Sequence, residues 1–282
     1  PGLIEAEYAL NEGGGGLVVD GTRVSNAVQA SEKKFQNFLI EVTNPGGHSS
    51  RPRRDNAIYD LASALIAVGA FKMPVNLNEV TTTFFAASAD IVDDPAVADA
   101  MRRIAVDQGD SDAATLLSQN PQYNAMLRTT CVATLLDGGH ASNALPQRAQ
   151  ANVNCRILPD ETPSDVRDAL ERAISNPNVT VMAEGSAQDS PPSPLTPDLL
   201  LTIKQVTNDM WPGVAVVPTM STGATDGLYL RLAGTPVYGV SGLFYGETFS
   251  HGMNERIPVQ AFYEGLEFLD RLVRKLSTGE VS

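Results

Sequence analysis

Three residue types are scarce in this 282-residue chain: tryptophan (one), cysteine (two) and histidine (three). The two cysteines, Cys131 and Cys155, have no Cys-x-x-Cys spacing, so they make neither a zinc knuckle nor a disulfide scaffold. Both lie in apolar, strand-like runs, 130–136 and 152–158, and read as buried free thiols, since a free cysteine behaves as a small hydrophobe. No apolar run approaches the ~20 residues that span a bilayer, which argues against a membrane partner. No signal-peptide pattern is present, and the chain opens on Pro1, as a chain cut from a longer one does. Basic residues are outnumbered 33 to 20, and the only basic cluster is Arg51, Arg53 and Arg54. A net charge of -13 without a basic stripe excludes nucleic acid as the main partner. There is no Gly-x-Ser-x-Gly elbow and neither cysteine lies in a loop, which sets a covalent hydrolase aside. No Lys-Ser/Thr follows the glycines at 13–16, so they are not a phosphate cradle.

What is present reads as an α/β protein with an α+β insert. Residues 1–29 hold a short apolar segment (6–10), a glycine run, a strand at 17–19 and a polar stretch. Residues 30–185 read as one α+β unit. It has strands at 35–42, 130–136, 148–157 and 179–183, and helices at 55–70 and 162–174. The second helix is announced by Thr162-Pro163-Ser164-Asp165, a hydroxyl cap followed by proline at the first helical position. The order strand, helix, strand, strand, helix, strand predicts a ferredoxin-like unit, with a mostly helical insertion at about 79–128. Residues 186–197 carry four prolines and read as a hinge. Residues 198–282 return to alternating helix and strand, ending in a helix over 259–276.

The histidines are the first candidates for chemistry, because all three stand in glycine-containing loops at strand ends, where function concentrates. His48, in Gly46-Gly47-His48-Ser49-Ser50, is either a solvated turn residue or a donor to a developing oxyanion. His140 and Asn143 share the loop 138–146, and Asn143 offers both a donor and an acceptor. His251, in Ser250-His251-Gly252, suits a zinc ligand. Glu12, beside Gly13 and Gly14, is either a loop tip or a carboxylate ligand with room for an ion. The run Ser221-Thr222-Gly223-Ala224-Thr225-Asp226 precedes a helix and either caps it or binds an anion there.

In order along the chain, Asn-Glu-Gly-Gly, Gly-Gly-His-Ser-Ser, Gly-Gly-x-x-x-Asn-x-x-Pro, Ser-Thr-Gly-x-Thr-Asp and Ser-His-Gly resemble the zinc metallopeptidase family of aminoacylases, dipeptidases and glutamate carboxypeptidases. The resemblance covers essentially the whole chain. It implies an α/β catalytic domain (1–29 and 186–282) interrupted by a ferredoxin-like lid and dimerisation domain (30–185), in a homodimer. It implies two zinc ions, with Glu12 and His251 each ligating a different one. It makes His48 the catalytic residue that steadies the oxyanion across the dimer. Asn143, Arg156, Thr222, Gly223 and Thr225 become substrate-binding, with guanidinium suited to bidentate carboxylate recognition, and His140 is left as lid-loop structure.

The family's first histidine, bridging aspartate and general-base glutamate have no counterpart here, since neither His-x-Asp nor Asp-Glu-Glu occurs. They belong upstream of Pro1 on this reading, and the chain alone is expected to be inactive. The implied reaction is metal-assisted hydrolysis of a peptide or amide bond beside a free carboxylate, of carboxypeptidase or dipeptidase type. An N-acyl-amino-acid deacylase is the alternative enzyme. A non-catalytic dimerisation and binding module is the alternative of another class.

Overall fold

The computed structural model describes residues 5–246 and 252–278. The chain begins with strands β1 (Ala9–Asn11), β2 (Gly15–Val19) and β3 (Thr22–Glu32), then β4 (Lys34–Thr43), β5 (Gly47–His48) and helix α1 (Ala57–Ala70). Four helices follow: α2 (Glu79–Ser88), α3 (Pro95–Val106), α4 (Ser111–Leu117) and α5 (Pro121–Leu127). Next come β6 (Thr130–Gly138), β7 (Ala144–Leu145), β8 (Arg148–Ile157), α6 (Pro163–Ile174) and β9 (Val179–Glu184). The last part holds α7 (Pro197–Met210), β10 (Ala215–Ser221), α8 (Gly227–Leu232), β11 (Val237–Gly239), β12 (Phe244–Tyr245) and α9 (Val259–Thr278).

The chain divides into two units. The second comprises Lys33–Asn76 and Arg128–Asp189. Its antiparallel sheet has the order β6-β8-β4-β9, the ferredoxin-like arrangement. Strict alternation along β8 puts Ala149, Ala151, Val153, Cys155 and Ile157 inward and Arg148, Gln150, Asn152, Asn154 and Arg156 outward. The inward set meets Leu61, Ala64 and Val68 of α1 and Val166 and Leu170 of α6. Asn56 caps α1 by accepting from the Ile58 N–H. Thr162 and Asp165 form a reciprocal capping box with Pro163 at the first position of α6. The outward face carries polar ladders, with Asn154 donating to Asn37 (2.8 Å) and Asn152 to Thr134 (2.6 Å).

Cys131 and Cys155 are not free thiols. They face each other across the β6–β8 pair and form a disulfide, with Cα atoms 4.1 Å apart. Placing them in strands was correct. The pairing register that joins them is a long-range property that spacing does not reveal.

The first unit comprises Pro1–Glu32, Leu77–Leu127 and Ser190–Ser282. The helical segment α2–α5 therefore belongs here, and not to the unit into whose sequence it is inserted. The physical reason is the company its apolar face keeps: α2 packs on β10, and Phe85, Met101, Ile104 and Leu117 are buried. Asn78, Asp94 and Asp110 cap α2, α3 and α4. The sheet order is β1-β11-β3-β2-β12, with β10 parallel to β3. Trp211 anchors one side of the core, with ring centroids 4.6 Å from Phe244 and 5.6 Å from Phe268.

The polar stretch after residue 20 is β3, an eleven-residue central strand that the sequence pattern does not announce. Its Asn26, Gln29, Ser31 and Glu32 are buried. Tertiary partners permit this, Asn26 donating to Thr207 Oγ1 (3.1 Å) and Glu32 pairing with Arg231.

The disulfide closes a segment of 24 residues of separation, which is worth about 3 kcal/mol against unfolding on the chain-entropy argument. Reduction, or Cys131→Ala with Cys155→Ala, is expected to lower the midpoint of urea unfolding by a corresponding amount. Alkylation before reduction should label no thiol. Labelling of both cysteines in the folded, unreduced protein would contradict the pairing.

Candidate active site

The tip of the ferredoxin-like unit is built by a turn. Asn44 Oδ1 accepts from the Gly46 N–H (2.9 Å), and Gly46 and Gly47 take positive φ of 76° and 150°. The chain then pairs β5 with β7, placing His48 opposite Ala144. The Ser49 N–H donates to the Asn143 carbonyl (3.0 Å). His48 and Asn143 are thus brought side by side, both exposed. The Ser50 backbone N–H donates to His48 Nδ1 at 3.1 Å. A backbone amide can only donate, so Nδ1 is an acceptor and the neutral ring carries its proton on Nε2. The Ser50 hydroxyl lies 2.9 Å from the same nitrogen. His140 lies away from this pair's hydrogen bonds. It lines an open groove of ≈ 590 Å³ together with Ile58, Tyr59, Ser142, Leu145 and Pro146.

Arg156 stands elsewhere. It is near the far end of β8, on the outward face, paired in register with Phe35 and with its guanidinium 5.5 Å from that ring. Eight residues of strand separate it from Arg148, a span of about 26 Å. The structure therefore does not bring Arg156 together with His48 and Asn143.

In the other unit, Glu12 follows β1 and is exposed. Glycines let the chain turn there. A Cβ on Gly13 would lie 2.1 Å from Gln29 Oε1, and one on Gly14 would lie 2.4 Å from the Gly239 carbonyl. His251, read as the second metal ligand, lies outside the described residues. Among the described residues no group of three or more His, Cys, Asp or Glu side chains is placed to hold an ion. A catalytic zinc takes three protein ligands. The described residues alone do not fit a zinc centre.

The Thr222–Thr225 loop leaves the end of β10, where Ser221 is level with Glu32 of β3. Asn11, just before Glu12, is level with Gly239, which pairs with Gln29, three residues or about 10 Å back along β3. Gly223 donates its N–H to Ser221 Oγ (3.1 Å). Thr225 donates both its N–H (2.8 Å) and its hydroxyl (2.7 Å) to Glu32 Oε2. The hydroxyl read from sequence as substrate-binding is thus engaged by a buried carboxylate. Asp226 makes no side-chain cap to α8. Glu32 itself escaped the sequence reading, hidden in the polar stretch.

The sequence profile of the M20 peptidase dimerisation domain matches residues 30–182, more than half of the chain. The chain belongs to this family. Over 268 residues it is 26% identical to the Homo sapiens N-fatty-acyl-amino acid synthase/hydrolase PM20D1, covering 90% of this chain and 51% of that protein. It is 23% identical over 264 residues to Probable carboxypeptidase S-like 2 of Dictyostelium discoideum, covering 88% and 48%. The chain spans about half the length of these curated relatives. Its fold superposes on the M20 family metallo-carboxypeptidase Sso-CP2 from Sulfolobus solfataricus with a TM-score of 0.64 at 17% identity, covering 96% of this chain and 63% of that one.

Within the dimerisation domain, Lys33 is a second buried ionisable group that the sequence did not signal. Its Nζ donates to the Arg128 carbonyl (2.7 Å) and to Thr130 Oγ1 (3.4 Å). Burial pushes its pKa from 10.5 down to about 7. Glu161 opposes that shift and Arg156 adds to it. The folded state thus releases the proton before the unfolded state does. The destabilisation is complete below about pH 7 and is relieved as pH rises toward 10.5. Between these limits, unfolding free energy is expected to rise with pH by up to about 1.4 kcal/mol per pH unit relative to Lys33→Met. Urea titrations at a series of pH values check this, and parallel curves for the two proteins would refute it.

Proposed function

We propose that the complete protein hydrolyses an amide bond in a substrate bearing a free carboxylate, with two copies of the chain completing each other's sites through the dimerisation domain. The observation that carries this is the fixed tautomer of His48. With Nδ1 held by Ser50, the ring presents Nε2–H as a donor at an exposed tip, where the neighbouring Ser49 N–H bonds the Asn143 backbone carbonyl. A neutral donor held in place before reaction is what a developing oxyanion requires. The ~26 Å between the two ends of β8 supports sharing between copies, because His48 and Arg156 of one domain cannot both reach one small substrate. Arg156, Thr222 and Gly223 are proposed as substrate-binding on the family resemblance, guanidinium being suited to recognising a carboxylate.

Hydrolysis of N-acyl amino acids is favoured over a carboxypeptidase or dipeptidase activity by the relatives. Human PM20D1 and a Danio rerio relative that is 29% identical to this chain are both named as N-fatty-acyl-amino acid synthase/hydrolases. Zinc is the ion proposed for Glu12 and His251, on the family resemblance.

The dimer is proposed to form through the β6 edge. This edge strand is exposed along most of its length, with Leu135 and Leu136 each 71% exposed and Val132 60%. Ile66 and Tyr59 of α1 add an apolar strip in the same unit. Long apolar edges are templates for pairing with another chain. Leu135→Glu combined with Leu136→Lys is expected to convert the dimer to a monomer in sedimentation velocity. A dimer that survives would refute this edge as the interface.

His48→Ala in the complete protein should lower kcat by about 10²–10³-fold without changing metal content. Mixing His48→Ala with Glu12→Gln protomers is expected to restore about a quarter of wild-type activity, since half of the dimers then hold one complete site. If mixing restores nothing, His48 acts within its own chain and the shared-site reading fails.

A further inference from the structure

The buried centre around Glu32 belongs to no role assigned so far. Glu32 ends β3, and both it and Arg231 are almost fully buried, with side chains 1% and 2% exposed. Arg231 Nη1 lies 2.9 Å from Glu32 Oε1, and Ser190 Oγ donates to the same oxygen at 2.8 Å. Oε2 takes the two donors of Thr225, with Gln29 Nε2 at 3.5 Å. Arg231 is held in turn by the Val237 carbonyl (3.1 Å) and by Ser193 Oγ (3.3 Å). A carboxylate removed from water is tolerated only when its lone pairs are matched in this way.

The placement of these groups points to what the centre does. Glu32 is the residue after which the chain first leaves this unit, and Ser190 is the residue on which it returns for the last time. Thr225 closes the loop proposed above as substrate-binding. One side chain therefore fixes the loop, the end of β3 and the returning segment at a single point. Arg231 also cancels the charge of Glu32, which would otherwise repel an anion bound at Thr222 and Gly223.

We infer that Glu32 is the positioning residue of the carboxylate-binding loop. It holds Thr225 inward so that Thr222 and Gly223 meet the substrate. The inference rests on the reading of that loop as the seat of the substrate carboxylate.

The test uses the complete protein with an N-acetyl amino acid and its C-terminal amide as paired substrates, together with hydrogen exchange at the Thr225 amide. Wild type should prefer the carboxylate substrate. Glu32→Gln keeps the shape but sets an amide N–H2 or a neutral oxygen against Arg231. It is expected to raise KM for the carboxylate substrate by about tenfold or more, to change kcat far less, to erode the preference over the amide and to speed exchange at Thr225. Glu32→Asp, which keeps the charge, should recover part of the KM. Unchanged KM and preference in a folded Glu32→Gln protein would overturn the inference, as would kcat falling with folded fraction at constant KM. If Glu32→Gln does not fold, Ser190→Ala takes its place, with the same KM shift expected in smaller measure and its absence counting against the inference. If wild type shows no preference for the carboxylate, the loop assignment is what fails. Exchange at Thr225 then decides the tether alone, with retained protection in the variant refuting it.

Discussion

A carboxylate cannot be left bare away from water, and much of the first unit is organised by that constraint at Glu32. Its oxygens are satisfied from β3 itself, from the segment that re-enters the unit, from the loop after β10 and from α8. Three stretches far apart in sequence (β3, the segment at Ser190 and the run from Thr225 to Arg231) are thus pinned by one group. Breaking a buried pair by removing one partner costs about 3–5 kcal/mol, far more than the same change at the surface. The surface ion pairs on α9, Arg274 with Asp270 and Arg271 with Glu267, are exposed at both partners and contribute little by comparison.

The dimerisation domain follows a different logic. One face of its sheet is covered by α1 and α6 and is built almost wholly of aliphatic side chains. The opposite face carries amide and hydroxyl ladders beside exposed apolar side chains such as Phe35, Val132, Leu135 and Met182. A sheet covered on one side reads clearly in sequence as alternation, and the β8 pattern is a clean instance. The capping residue Thr162 likewise makes the start of α6 visible from local chemistry. For these reasons the ferredoxin-like order is legible in the sequence.

What was not legible shares a cause. The polar stretch that holds Asn26, Gln29, Ser31 and Glu32 is a buried central strand whose polarity is met by partners as distant in sequence as Arg231. The cysteine pairing and the membership of α2–α5 in the first unit are also decided by contacts between distant segments. Short motifs singled out His48, Asn143 and the Thr222–Thr225 loop as site candidates. They did not reveal that Thr225 turns its donors inward or that Arg156 stands a strand's length from His48.

The interleaving of the two units has a consequence for the order in which the chain is made. Domains generally acquire structure as their residues leave the ribosome. The ferredoxin-like sheet has all four of its strands once β9 has emerged, at Glu184. At that moment the other sheet still lacks β10, β11 and β12. The helices α2–α5 have already been synthesised by then, and α2 must wait for β10 to cover its apolar face. The dimerisation domain can therefore close first, while a helical segment emerging from its midst stays unsatisfied until the last third of the chain arrives.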